Sequence, residues 1–258
     1  MRIARFSLDD EPTYGLVEGD AGEERLVVLA GDPLYTPVSP TGRTVALEEV
    51  RLLAPVIPRS KVVGIGRNYA DHAAELGHDV PERPLMFLKP NTSVIGPGDP
   101  IPLPSFSDDV HYEGELAVVI SRICKDVPPE RVDDVVLGFT CANDVTLRDL
   151  QQTDGQWARA KGFDGSCPLG PWIETDLHHA DVGVRTRLDG ELVQDGRTSQ
   201  MVFDVAQLVS YASQAFTLLP GDVILTGTPA GVGPLRAGQR VEVEIEGLGT
   251  LSNPVVRR

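Results

Sequence analysis

Short apolar runs, rich in β-branched residues and bounded by glycine or proline, recur along most of this 258-residue sequence. Runs of this length and composition are typical of β-strands, and 26 glycines and 21 prolines supply the frequent turns that strands need. Long helical patterns do not alternate with them, which argues against a doubly wound parallel sheet. The sequence therefore predicts a mixed β fold with minor α content. The clearest predicted strands cover residues 61–65, 116–120, 135–142, 183–188, 223–226 and 241–245.

The first part of the chain predicts a small β unit of its own. Strand patterns at 3–8, 14–17 and 25–29 are joined by turn residues such as EGDAG at 18–22. The segment APVIPR carries two prolines and is typical of a linker. We therefore expect a small N-terminal β domain at 1–57 and a larger domain at 58–258. Helical patterns are confined to the larger domain, at 69–76, 145–152 and 205–216.

The charge balance excludes some classes of partner. The formal net charge is −15. Such an acidic composition argues against the basic surface that binds nucleic acids or anionic membranes. Three cysteines without a CxxC pair do not form a disulfide framework, which favours a reducing compartment. The sequence begins without the apolar core of a signal peptide, and no run approaches the roughly 18 apolar residues of a membrane span. We expect a cytoplasmic protein with a small-molecule substrate.

Three acidic residues form the most informative pattern. Glu113 and Glu115 in HYEGELAVV lie at i and i+2, so a strand places them on one face about 7 Å apart. Asp144 ends the apolar run VVLGFTCAN. Each has an ordinary alternative, since the glutamates suit a solvated strand end and the aspartate suits a helix cap.

If the fold brings the three carboxylates together, their repulsion of roughly 4 kcal/mol per pair at ~4 Å favours a bound cation. Three oxygen ligands with open positions suit Mg²⁺ or Mn²⁺. Zinc is less suitable because no cysteine or histidine cluster has the usual spacing.

Two glycine-rich stretches resemble nucleotide-binding motifs only superficially. In GIGRNY, Tyr69 stands where a dinucleotide fingerprint needs its last glycine, and the predicted helix that follows is too short. LTGTPAGVG, at 225–233, lacks the GK[ST] ending of a P-loop. Its amides and the hydroxyls of Thr226 and Thr228 suit a carboxylate, although a tight turn is the plain alternative.

Six motifs together resemble one known family. GIGRNYADHAAEL, FLKP, HYEGELAVVI, ANDVTLRDLQ, RAKGFDGSCPLGPW and LTGTPAGVG occur in the order found in the fumarylacetoacetate hydrolase family, over about residues 60–252. The N-terminal region resembles the short β domain of bacterial members called hydroxyhepta-diene-dioate isomerases. The resemblance implies a β-roll catalytic domain, a homodimer, and a metal held by Glu113, Glu115 and Asp144.

The resemblance also implies roles around the metal. His72 and Glu75 lie at i and i+3 on one helical face, where a carboxylate orients and activates an imidazole, although such a pair is usually solvated. Family members that cleave acylpyruvates or decarboxylate oxaloacetate carry this pair on a mobile lid. The implied catalytic residues are His72, Glu75 and Lys161, and the implied substrate-binding residues are Arg148, Gln151, Thr228 and Lys89.

The resulting hypothesis is a Mg²⁺- or Mn²⁺-dependent enzyme that chelates a 2-oxo acid and cleaves a C–C bond through a metal-stabilised enolate. Acylpyruvate hydrolysis and oxaloacetate decarboxylation both fit the histidine–glutamate pair. An isomerase or tautomerase acting on a 2-hydroxyhepta-2,4-diene-1,7-dioate or a 5-carboxymethyl-2-hydroxymuconate is the alternative that the N-terminal domain favours. A non-catalytic divalent-metal-binding protein is the rival from another class, because one fold does not guarantee one activity.

Overall fold

The structure, a computed structural model, describes residues 1–9, 11–20 and 22–257. Strands make up 43% and helices 18%, which confirms a mixed β fold with minor α content. The predicted turn at 18–22 includes Ala21, which lies outside the described residues. The strands are β1 (Arg2–Leu8), β2 (Glu11–Glu18), β3 (Arg25–Leu29), β4 (Pro40–Ala46), β5 (Arg51–Leu53), β6 (Val62–Gly66), β7 (Leu85–Lys89), β8 (Val94–Ile95), β9 (Ile101–Leu103), β10 (Val110–Tyr112), β11 (Gly114–Ile120), β12 (Val136–Asn143), β13 (Thr146–Leu147), β14 (Cys167–Glu174), β15 (Gly183–Leu188), β16 (Glu191–Arg197), β17 (Val223–Leu225), β18 (Gly233–Pro234), β19 (Arg240–Ile245) and β20 (Gly249–Arg257).

The helices are short, and none in the described part of the chain is long and apolar enough to cross a membrane. The α-helices are α1 (Ala70–Glu75), α2 (Arg148–Thr153), α3 (Ala158–Lys161) and α4 (Val205–Ala215). The 3₁₀-helices cover Leu47–Glu49, Asn91–Ser93, Pro129–Asp134, His179–Asp181 and Thr198–Gln200.

The prediction of a helix over 145–152 was wrong at its beginning. Thr146 and Leu147 form strand β13, which pairs with β10, and the helix begins only at Arg148. Leu147 has an extended conformation with ψ of 100°. The β-branched Val145 and Thr146 favour this extended entry, and cross-strand pairing satisfies backbone groups that a helix would otherwise use.

Most strands belong to one large twelve-stranded sheet within the described residues. Its order is β4-β3-β2-β1-β14-β12-β11-β17-β6-β7, and β5 and β8 pair at its side with β1 and β14. The N-terminal strands join this sheet directly, since Ile3 of β1 pairs with Ile173 of β14. Strand pairing therefore continues across the predicted boundary after residue 57. The division of the chain into two domains there remains a prediction.

Strand β11 lies near the middle of the fold and is buried on both faces. Its residues are apolar almost throughout, as expected for a strand covered on two sides. Leu116 and Val118 pack in a core that includes α4 and the five-stranded sheet β16-β15-β19-β20-β9. Ala117 and Val119 pack in a second core with residues of β1, β6 and β14. The alternation fixes which side chains at the start of β11 face each core.

Candidate metal centre and active site

Three buried carboxylates meet where two neighbouring strands end. Glu113 immediately precedes β11, Glu115 is its second residue, and Asp144 directly follows β12. Because β11 and β12 are antiparallel, with Gly114 opposite Asn143, the start of one strand lies beside the end of the other. Oxygen atoms of the three carboxylates lie within 4.8 Å of one another. The three residues therefore form a possible metal-binding acidic triad.

Hydrogen bonds fix the backbone at this junction. The amide of Asp144 donates to the carbonyl of Glu113 over 2.9 Å, and the amide of Glu113 donates to Oδ1 of Asn143 over 2.9 Å. Asn143 is the last residue of β12 and adjoins Asp144, so its side-chain bond to Glu113 links the backbone at two of the three carboxylate residues. Rigid strand ends hold the carboxylates in place before any ligand arrives.

Three basic side chains balance the charge of the triad. Lys161 donates through Nζ to Glu113 over 2.8 Å and to Asp144 over 2.7 Å. Lys89 donates to the other oxygen of Asp144 over 2.6 Å, and Arg148 forms an ion pair with Glu113 at 2.5 Å. All three basic side chains are buried. Such buried charges are tolerated because each has a close partner of opposite sign.

Glu115 differs from its two neighbours because, among the residues that the structure describes, no basic side chain bonds it. The amide of Gly227 donates a hydrogen bond to it over 2.7 Å. Burial, followed by the charges of Asp144 and Glu113, raises the pKa of Glu115 well above its usual value. Glu113 is equally buried, yet Lys161 and Arg148 outweigh that burial and hold its pKa far below the usual range.

The donor set fits a hard divalent cation. All three potential ligands are carboxylate oxygens, which Mg²⁺ and Mn²⁺ prefer. The uncompensated carboxyl at Glu115 is the position where added positive charge would relieve the strongest repulsion. No cysteine or histidine belongs to this group of potential ligands in the described part of the chain.

The histidine and glutamate of α1 lie beside the triad. Nδ1 of His72 is 3.3 Å from Oε2 of Glu75, and His72 is 4% exposed. The amide of Gly231 donates to both oxygens of Glu75 over 3.1 and 3.2 Å, which anchors the pair to the glycine-rich turn. Burial lowers the pKa of His72 despite the opposing charges of Glu113 and Glu75. This lowered pKa favours the neutral imidazole, the form that can accept a proton.

Several of these groups line a cavity of about 350 Å³, a volume suited to a small metabolite. Its walls include the predicted residues His72, Glu113, Glu115, Arg148, Gln151, Lys161 and Thr228. Three predicted residues are not part of its walls: Glu75 bonds His72, and Asp144, the third carboxylate of the triad, bonds Lys89. Nη1 of Arg148 donates to Oε1 of Gln151 over 2.9 Å, so these two form one polar wall.

Arg67 and Trp157 are among the residues of the cavity wall that sequence reasoning did not single out. The Trp157 ring packs edge-on against Phe87 with centroids 5.6 Å apart. Arg67 has a positive φ of 57°, which is uncommon outside glycine and directs the chain into α1. In the sequence, Arg67 and Trp157 are marked only by lying inside or near the quoted motifs. Such a position does not distinguish a residue of the cavity wall from a solvated one.

The buried carboxylate triad and the buried histidine beside it, at one cavity, form the candidate active site. Residues 61–256 match the family described as fumarylacetoacetate (FAA) hydrolase C-terminal, and residues 1–55 match the Rv2993c-like N-terminal family. The chain belongs to the fumarylacetoacetate hydrolase family, as the resemblance of its motifs predicted.

Relatives within this family have several activities. The structure of 5-carboxymethyl-2-hydroxymuconate delta-isomerase from Mycobacterium smegmatis is 51% identical, covers all of both chains and has a TM-score of 0.93. The mitochondrial oxaloacetate tautomerase of Xenopus laevis is 45% identical over 80% of this chain and 69% of its own.

A third relative is known with a metal. The fumarylpyruvate hydrolase of Pseudomonas aeruginosa, solved in complex with Mn²⁺ and pyruvate, is 38% identical over 78% of this chain and 91% of its own, with a TM-score of 0.74. Isomerases, tautomerases and hydrolases thus share this fold, and the chain is an enzyme of this group.

Proposed function

We propose that this enzyme binds Mg²⁺ or Mn²⁺ at Glu113, Glu115 and Asp144 and cleaves a C–C bond in a small 2-oxo acid. The observation that carries the proposal is the buried His72 on the wall of the same cavity as Glu113 and Glu115, the two glutamates of the triad. A bound dication would act there as a Lewis acid, polarising the 2-keto oxygen and stabilising negative charge that develops on it.

The residues of the chain would bind the substrate and move the proton. Arg148 and Gln151 form a polar wall of the right character for a substrate carboxylate, since a guanidinium offers several donors in one plane. His72, oriented by Glu75, would accept a proton from water that attacks the distal carbonyl. Lys161 holds Glu113 and Asp144 in place through two hydrogen bonds and lines the cavity beside them.

Isomerisation or tautomerisation is the second candidate, and the likeness to the mycobacterial isomerase over the whole chain favours it. The same cavity suits this reaction, because His72 would then relocate a proton of the substrate instead of activating water. The two candidates differ in their products. Cleavage releases pyruvate or CO₂, whereas isomerisation conserves mass and exchanges carbon-bound hydrogen with solvent.

A substrate panel decides between them. Purified protein would be assayed with acylpyruvates, oxaloacetate and hydroxy-dienoates in Mn²⁺, Mg²⁺ or EDTA, with NMR in D₂O following both cleavage and exchange. We expect metal-dependent release of pyruvate or CO₂. Exchange without cleavage would establish the isomerase, and no turnover with any substrate would leave a non-catalytic metal-binding protein. His178→Ala, an exposed histidine outside the cavity, serves as the control for His72→Ala.

We also propose that the enzyme is a homodimer, as expected for this family. The expected mass in light scattering after size exclusion is twice 27.8 kDa, and a single 27.8 kDa species would contradict it.

A further inference from the structure

Gln194 is a buried residue whose side-chain amide forms hydrogen bonds with residues next to the acidic triad. It lies on β16, an edge strand of the five-stranded sheet, and is 1% exposed. Its Oε1 accepts from the amide of Gly114 over 2.9 Å. Its Nε2 donates to Oγ1 of Thr228 and to the carbonyl of Pro229, each over 2.8 Å. This amide reaches from one sheet to the residue between the two glutamates.

The bonds close a ring around Gly114. Its amide donates to Gln194, Gln194 donates to Thr228, and the Thr228 hydroxyl donates to the carbonyl of Gly114 over 2.9 Å. Every donor in the ring faces an acceptor. This also fixes the orientation of the Gln194 amide, because a flipped amide would place its own N–H groups against the N–H of Gly114. Both peptide groups that join Glu113 to Glu115 are thereby held.

Glycine is required at 114 by the close approach of the second sheet. A Cβ there would lie 2.1 Å from Oγ1 of Thr186 on β15. Glycine, however, gives the backbone more conformational freedom than any other residue, at the point where two potential ligands must keep a fixed separation. The ring removes this freedom by binding the N–H and the C=O of the same residue.

We propose that Gln194 is a positioning residue, which sets the separation of Glu113 and Glu115 and so the affinity of the triad for a divalent cation. The inference rests on the proposed metal function. Side chains that hold metal ligands in place commonly contribute 10- to 100-fold to metal affinity. A loss in that range is expected when the ring is opened.

The test measures Mn²⁺ affinity by isothermal titration calorimetry, with thermal melts in EDTA as the measure of folding. Gln194→Met keeps the length of the side chain and removes its hydrogen bonds. Asn253→Leu is the matched control: Asn253 is another buried amide, and its side chain donates to the carbonyls of Gly96 and Asp99 instead of to the residues around the triad. We expect Gln194→Met to weaken Mn²⁺ binding about 10- to 100-fold. Asn253→Leu should lower the melting temperature and leave the Mn²⁺ affinity within about twofold of wild type.

Mn²⁺ affinity of Gln194→Met within twofold of wild type would overturn the proposal and leave Gln194 with a structural role only. Wild-type protein without Mn²⁺ affinity would instead overturn the proposed metal function and this inference with it. Thr228→Val opens the ring at a second bond, and Thr228→Ser retains the hydroxyl. These variants decide the matter if Gln194→Met does not fold: the valine should weaken Mn²⁺ binding and the serine should restore it, and equal affinities would refute the ring.

Discussion

Two carboxylates of the triad should have different effects on the stability of the metal-free protein. Asp144 bonds two buried ammonium groups, those of Lys89 and Lys161, whereas Glu115 bonds a backbone amide and no basic side chain of the described chain. Asp144→Asn leaves both lysines with less compensation, and breaking a buried ion pair costs about 3 to 5 kcal/mol. For a chain of this size 1 kcal/mol corresponds to roughly 2 to 4 °C in melting temperature. We expect Asp144→Asn to melt about 6 to 20 °C below wild type in EDTA.

Glu115→Gln, in contrast, should not destabilise the metal-free protein. Carboxylates within 4.8 Å repel by about 3 to 4 kcal/mol per pair at an effective dielectric near 20. The raised pKa of Glu115 already favours its neutral acid in the metal-free protein, so the neutral amide changes little. We expect its melting temperature in EDTA to lie within about 3 °C of wild type or above it.

The assay compares thermal melts in EDTA and in Mn²⁺. At 100 times its dissociation constant, a ligand stabilises the folded state by about 2.7 kcal/mol, so wild type should gain roughly 5 to 11 °C. Both variants should lose this gain, because each removes a proposed metal ligand. Equal destabilisation by the two substitutions in EDTA would refute the reasoning, since it would mean that pairing with the lysines does not distinguish Asp144 from Glu115.

Three further results are expected. His72→Ala should keep Mn²⁺ affinity within about threefold in calorimetry and lower kcat about 10²- to 10⁴-fold, because the proposed role of His72 is to move a proton and not to bind the metal; equal loss of metal would contradict that role. Gly114→Ala places a Cβ 2.1 Å from Oγ1 of Thr186 and should weaken Mn²⁺ binding, and Thr186→Ala added to it should restore part of the affinity in the same titration. Burial raises the pKa of the Cys141 and Cys167 thiols to about 12, so the folded state binds protons that the unfolded state has lost above about pH 8.5. The contribution of these thiols to the free energy of unfolding should therefore be constant below pH 8.5 and fall as pH rises towards 12, by up to about 1.4 kcal/mol per pH unit and thiol; urea unfolding from pH 7.5 to 10.5 measures this, and a slope unchanged in the double Cys→Ala variant would contradict it.

The sequence by itself determined the class of fold and the residues of the triad as candidates. Alternation along β11 is a local property of extended chain, so it placed Glu113 and Glu115 on one face before any partner was known. The i, i+3 spacing of His72 and Glu75 likewise follows from helix geometry alone. The beginning of α2 could not be read in this way, because cross-strand pairing with β10 decided that Thr146 and Leu147 are extended.

Only the tertiary structure decided what surrounds these residues. The antiparallel register of β11 and β12 brings Asp144 to the glutamates, and packing places Lys89 on Asp144 across 55 positions of sequence. The contact of Gln194 with Gly114 spans 80 positions and depends on how two sheets approach one another. Local periodicity states which way a side chain points, but the identity of the partner it meets depends on long-range register and packing, which no short segment contains.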